Sequence, residues 1–192
     1  MKENIEKTLI ESSVLIRNSV TLSEKIEFTI QKILECISLE KKVILFGNGG
    51  SAADAQHIAA EFIGRFLSER KSIPAISLTT DSSIITSLGN DYSYDVIFSR
   101  QCESLVNPGD VVIAISTSGN SKNVINGIIT SKNKGAFTIG LLGNDGGKIK
   151  DLVDIALVVN SDSTPRIQEI HRIIYHIICE NVEKSLIDKN ET

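Results

Sequence analysis

The chain has 192 residues, with 24 acidic against 20 basic side chains and a formal net charge of -4, a length that suits one domain spanning 1–192 and able to bury well over half of the surface its unfolded form exposes. No run of lysine or arginine is long enough to follow a nucleic acid backbone, which removes the electrostatic case for a nucleic-acid partner. No stretch reaches the ~18–20 apolar residues of a membrane span and no apolar leader opens the chain, so the expectation is a soluble protein with no membrane partner.

From about residue 3 to residue 39 apolar side chains recur at helical spacing, as Ile5, Leu9, Val14 and Ile16, then Ile26, Ile30, Ile33 and Leu34. Two helices are predicted, broken near 21–24 with Ser23 as an N-cap, together forming a helical extension over about 1–40. At Val43 the period changes. Short apolar runs at 43–46, 73–78, 111–115, 136–141 and 155–159 lack polar alternation, which suits parallel strands covered on both faces. Helical patterns separate them at about 51–66, 81–88, 93–105, 121–133 and 147–152, and a last one covers 165–186. Strands alternating with crossover helices predict right-handed βαβ units and a doubly wound sheet. Gly109-Asp110 is read as a turn, Gly135 as a helix C-cap, and 188–192 as a fraying tail. Cys36, Cys102 and Cys179 stand singly and are odd in number, the pattern of buried thiols in a reducing compartment, and a cytoplasmic protein is expected.

Open parallel sheets bind ligands at the carboxyl ends of their strands, so the strand-to-helix loops come first. Gly47-Asn48-Gly49-Gly50-Ser51 lets backbone amides approach a ligand, or forms a tight structural turn, with Ser51 capping the next helix in either case. Its glycines fit neither the dinucleotide fingerprint nor a P-loop. Ser116-Thr117-Ser118-Gly119-Asn120-Ser121 sets four hydroxyls beside a helix N-terminus, an arrangement that holds a phosphate without a positive side chain. An ST-turn followed by a cap accounts for one or two of them. Asn90 and Asp91 either bind sugar hydroxyls or form an Asx-turn.

His57 and Glu61, four apart, share one helix face. The other two histidines, His171 and His176, lie in the last helical pattern. Gln168 and His176 are eight apart, about 12 Å along a helix, which strains a shared metal, and spacing prefers His171 with Glu169 or Tyr175 as partners. A lone histidine is also read as a helix-surface group bonded to a carboxylate.

The segments FGNGGSAADAQHIAAEFIGRF (46–66), SLGNDYSYDVIFSRQ (87–101), ISTSGNSKNVINGI (115–128), LGNDGGKIKDLVD (142–154) and RIQEIHRIIYHII (166–178) resemble the phosphoheptose isomerases of the sugar isomerase (SIS) domain class, over about residues 1–186. The resemblance implies a flavodoxin-like three-layer α/β/α sandwich with a five-stranded, mainly parallel sheet and long N- and C-terminal helices, assembled as a homotetramer with shared sites. It implies substrate contacts at Asn48, Gly49, Gly50, Glu61, Arg65, Asn90, Asp91, Ser116, Thr117, Ser118, Ser121 and Gln168. It also implies one zinc per subunit on His57, Glu61, Gln168 and His176, and a catalytic pair of Glu61 and His176. The activity implied is isomerisation of D-sedoheptulose 7-phosphate to D-glycero-D-manno-heptose 7-phosphate, the first step toward nucleotide-activated heptose. Moving a proton between adjacent carbons through an enediol uses two acid-base groups, and which of Glu61 and His176 takes the carbon-bound proton stays open. Two other readings stand beside it: an isomerase of another phosphosugar, and a non-catalytic regulatory protein, since relatives on this fold bind a replication initiator.

Overall fold

A computed structural model describes residues 1–188, so the tail expected to fray lies, from 189 on, outside the described residues. Five strands, β1 (Val43–Gly47), β2 (Ala75–Ser77), β3 (Val111–Ser116), β4 (Phe137–Gly143) and β5 (Ile155–Val159), form one sheet in the order β2-β1-β3-β4-β5. Every pairing is parallel. β1 and β3 are buried at every position because both faces of the sheet are covered. Val43 and Leu45 enter one apolar layer with Ile58, Phe62, Ile170 and Ile174, whereas Ile44 and Phe46 enter the other with Phe98, Val124 and Ile128. This is the expected α/β/α sandwich.

The helices are α1 (Lys2–Asn18), α2 (Ser23–Ser38), α3 (Gly50–Ile63), α4 (Ser82–Asp91), α5 (Ile97–Leu105), α6 (Lys122–Asn133) and α7 (Thr164–Asp188). α2, α3 and α7 supply the first layer, and α5 and α6 the second. α1 buries none of its residues. Among the described residues, no helix is long and apolar enough to cross a membrane.

Local details differ from the sequence expectations for identifiable reasons. Ser23 is not an N-cap: the chain stays in right-handed helical geometry through the short 3-10 turn Ser19–Leu22, and the Ser23 hydroxyl donates backward to the Val20 carbonyl. Ser51 lies inside α3, whose N-cap is Gly49 at φ 56°. β2 is shorter than its apolar run and lies on an edge of the sheet, preceded by Pro74, which has no N–H to give a ladder. The pattern at 93–105 divides into a 3-10 turn, Tyr94–Val96, and α5, while 147–152 winds as a 3-10 helix over Gly147–Asp151. Gly135 does follow the end of α6, with φ 80° and its N–H on the Lys132 carbonyl.

Candidate active site

The chain leaves β1 toward β2 on one side and returns to β3 on the other, so the strand order reverses between β1 and β3. That reversal opens a crevice above their carboxyl ends, flanked by the glycine loop and the serine loop. The two loops are tied by a reciprocal amide pair. Asn48 donates Nδ2–H to Asn123 Oδ1 at 2.8 Å, Asn123 donates to Asn48 Oδ1 at 3.0 Å, and the Tyr94 hydroxyl donates to the same Asn48 oxygen at 3.1 Å. Asn48 is thereby held by the protein in one orientation.

In the serine loop, Ser116 Oγ accepts the Gly119 N–H and Ser118 Oγ accepts the Asn120 N–H, each at 3.2 Å. The ST-turn reading accounts for these two hydroxyls. Ser121 is the N-cap of α6 but makes no side-chain bond to that helix; its hydroxyl lies 3.3 Å from Ser116 Oγ. The Thr117 carbonyl accepts from Asn144 Nδ2 at 2.9 Å. Gly119, at φ 64°, backs onto Gly146 so closely that an added Cβ would overlap its carbonyl. The 116–121 turn therefore keeps its shape only with glycine at that point.

α3 and α7 both descend from this edge, side by side and in step. The Gln168 amide lies against Gly50, where a Cβ would not fit. One turn down, Arg172 Nη2 reaches Asp54 Oδ1 at 3.4 Å, and the Tyr175 hydroxyl lies 3.2 Å from the same oxygen and 3.4 Å from His57 Nδ1. Below them His57 Nε2 is 2.9 Å from Glu61 Oε1, and the His176 ring packs edge-on to His57 with centroids 5.2 Å apart. His176 Nε2 is buried and lacks a hydrogen-bond partner. Burial, followed by the neighbouring His57, holds the His176 imidazole below its ordinary pKa.

His57, Glu61 and His176 thus converge, as does Gln168 with the glycine loop, at the other end of the two helices. Arg65 instead pairs with Glu69 at 3.0 Å on the exposed surface. Asn90 donates to Asp91 at 2.8 Å, both at the exposed end of α4, so they end a helix instead of forming an Asx-turn. His171 is not the partner of Glu169 or Tyr175: it sits on the sheet-facing stripe of α7, bonded to the Leu142 carbonyl at 3.0 Å. Asp54, Arg172, Tyr94 and Asn123 have no role in the sequence reading, and Tyr175, read there as a partner of His171, meets Asp54 and His57 instead. Asp54 carries one legible signal, its i,i+3 spacing to His57 on α3.

The zinc expectation is overturned. Among the described residues, no three His, Cys, Asp or Glu side chains are grouped so as to hold a metal ion. His57 Nε2 is committed to Glu61, and Gln168 lies two helical turns from His176, about 12 Å along α7. The four side chains assigned to the ion cannot surround one point in this arrangement.

The SIS domain family matches residues 11–143, which defines the class of this sandwich and its crevice. A phosphoheptose isomerase of Sulfurimonas denitrificans is 53% identical over 97% of this chain and 95% of its own length. The solved structure of a phosphoheptose isomerase from Neisseria gonorrhoeae superposes with a TM-score of 0.91 at 38% identity, covering 95% of this chain and 98% of that one. One from Francisella tularensis gives 0.89 at 31% identity, over 96% and 99%. The chain belongs to the phosphoheptose isomerase family.

Proposed function

We propose that this protein isomerises D-sedoheptulose 7-phosphate to D-glycero-D-manno-heptose 7-phosphate. A C1 proton of the open-chain ketose moves to C2 as the carbonyl passes from C2 to C1 through an enediol. The observation that carries this reading is one fold joining a hydroxyl-rich anion loop, 116–121, to a carboxylate–imidazole cluster, Glu61 with His57 and His176. The heptose is favoured by relatives about half identical over nearly the whole chain.

In this reading Glu61 takes the carbon-bound proton. His176, kept neutral by its surroundings, passes the oxygen-bound proton. Ser116, Thr117, Ser118 and Ser121 hold the phosphate, while Asn48, Gly49, Gly50 and Gln168 meet the sugar. Binding energy spent on the distant phosphate orients the reacting carbons.

The same reading needs more than one copy of the chain. Glu61 lies eleven residues down α3 from Gly50, about 16 Å along the helix axis from the edge that carries the serine loop. From C1 to phosphorus, six carbon–carbon bonds and the C–O–P ester span about 10 to 11 Å at full extension, short of that separation. In this reading a heptose phosphate held by one subunit's serine loop meets a Glu61 from another. Arg65, Asn90 and Asp91, apart from the cluster within one chain, also reach the sugar across such a boundary. We read the assembly as a homotetramer, residues 1–192 as one SIS domain with a helical extension over about 1–40, and its compartment as the cytoplasm. The last is supported by three buried, unpaired thiols.

The test is a phosphorus and proton NMR time course with sedoheptulose 7-phosphate, beside ribulose 5-phosphate as a shorter ketose. Appearance of the aldoheptose 7-phosphate supports the proposal. Turnover of the pentose alone keeps the reaction and removes the substrate. No turnover of any ketose phosphate, with capture of a protein partner, favours the regulatory reading.

A further inference from the structure

The segment LGNDGGKIKDLVD, 142–154, takes no part in the proposed reaction, yet it lies against the serine loop. β4 runs beside β3 with Ser116 opposite Leu142, so the residues just past that pair, Thr117 and Gly143, come together. A Cβ at Gly143 would overlap the Thr117 carbonyl oxygen, so this carbonyl is turned toward the end of β4. Asn144 Nδ2 donates to it at 2.9 Å. The next two carbonyls also have donors: that of Ser118 accepts from Asn120 Nδ2 at 2.9 Å, and that of Gly119 accepts the N–H of buried Ile149 at 3.0 Å. Asn120 Oδ1 in turn accepts the Lys148 N–H at 3.2 Å. An anion site needs N–H groups facing the ligand and carbonyls facing away. In a planar trans peptide the C=O of one residue and the N–H of the next point in opposite directions. Within the loop the N–H groups of Gly119 and Asn120 are taken by the Ser116 and Ser118 hydroxyls, which leaves the Thr117–Ser118 peptide to face a ligand. β4 lies on the side of β3 away from β1, so with the Thr117 carbonyl turned toward β4 the Ser118 N–H points back to the crevice. Turned over, the same peptide would set a carbonyl oxygen against the phosphate.

We infer that Asn144 is a positioning residue for the phosphate: it holds the Thr117–Ser118 peptide with its carbonyl toward the β4–β5 connection and the Ser118 N–H toward the anion. Asn144 is itself fixed by the backbone. Its φ of 52° lies in the left-handed region, which asparagine adopts more readily than most residues, and its N–H is on the Ser161 carbonyl at 3.0 Å. It acts through the Thr117 carbonyl. This inference rests on the reading of 116–121 as the phosphate loop.

Inorganic phosphate is the probe, because it engages the loop without the sugar. Asn144→Gly suits the left-handed backbone and removes only the donor. Its inhibition constant for inorganic phosphate, measured against sedoheptulose 7-phosphate, should rise about 10- to 100-fold, the worth of one hydrogen bond to a charged group. KM should rise by a similar factor, and kcat should change less. A merely structural loss lowers the active fraction, and so kcat, but leaves the inhibition constant where it was. Proton–nitrogen correlation spectra follow the peptide itself: phosphate should move the Ser118 amide proton downfield in the parent, and this response should be lost in Asn144→Gly. Asn144→Asp keeps the outline and tolerates the same φ while setting an oxygen against the Thr117 carbonyl, and it should lose the Ser118 response as well. Where Asn144→Gly does not fold, this second variant decides. A folded Asn144→Gly protein with the parental inhibition constant and the parental Ser118 response overturns the inference and leaves the phosphate loop standing. If no amide of 116–122 responds to phosphate in the parent, the phosphate-loop reading falls and the inference with it.

Discussion

At the scale of single residues, the three histidines divide by what surrounds them. His171 is fully buried on the sheet-facing side of α7, and desolvation brings its pKa down to about 4, although its bond to the Leu142 carbonyl works in the opposite direction. In the unfolded chain an imidazole titrates near 6.5, so between the two values the unfolded state binds the extra proton. The folded pKa is the depressed one. The stability contributed is therefore complete above about 6.5 and is lost as pH falls toward 4, an effect of about 3 kcal/mol. Urea titrations should show this slope between pH 7 and pH 4.5, and His171→Gln should flatten it; an unchanged slope in the variant would place the titrating group elsewhere. Nothing in the spacing of the last helix marked His171 as the core histidine, because a buried imidazole is recognised by the carbonyl it meets, and Leu142 is 29 positions away in sequence. His57 with Glu61 was legible, since a four-residue interval fixes both on one face. The partners of His57 were not, since Tyr175 meets it only once α7 lies beside α3.

At the scale of elements, the segment after α3 shows how the end of one helix is held by another. Glu183, near the end of α7, accepts the N–H groups of Phe66, Leu67 and Ser68 at 2.7–2.8 Å. Arg70 lies 3.3 Å from it, and both side chains are 2% exposed. Arg70 also donates to the carbonyls of Glu61 and Phe62 at 2.6 and 2.8 Å, so this clamp underlies the proposed base. Glu183→Ala should destabilise the fold by about 3–5 kcal/mol at pH 7, because a buried guanidinium loses its counter-charge. Burial opposes ionisation of Glu183, yet the three amides and then Arg70 outweigh it and lower its pKa below 4.5. Its stabilising effect is thus complete above pH 4.5 and lost as pH falls through the lower native value. The gap between parent and variant in urea titrations should narrow over that range, and a pH-independent gap would count against the ion pair as its source. Strands and crossover helices were readable in advance because unbroken apolar runs are what a doubly covered sheet demands. The caps at Ser23 and Ser51 were misread because the preceding residues stay helical in one case and Gly49 takes the cap in the other.

At the scale of the whole molecule, the face built by α1, α2 and α7 is the part that one subunit leaves unfinished. Ile5, Leu9, Ile10, Val14 and Val20 are 51–68% exposed, and a groove of about 440 Å³ runs between Ile16, Ile26, Ile30, Ile173 and Ile177. An apolar surface of this kind is expected to be covered. Light scattering should give a mass near four times 20.9 kDa. Leu9→Glu combined with Ile10→Glu should shift the protein to smaller species with loss of turnover. A fully active monomer at micromolar concentration would contradict the shared site. That need was half legible in the sequence: the two long helices were evident, but the separation of the serine loop from Glu61 follows only from the downward course of α3. The central claim, an enediol isomerase with Glu61 as its base, is tested most directly by Glu61→Gln on sedoheptulose 7-phosphate. The substitution keeps the size and hydrogen-bonding reach of the side chain and removes only the base, so a folded variant should lose about 10²- to 10⁴-fold in kcat. A folded Glu61→Gln protein that forms the aldoheptose phosphate at close to the parental rate would contradict the account.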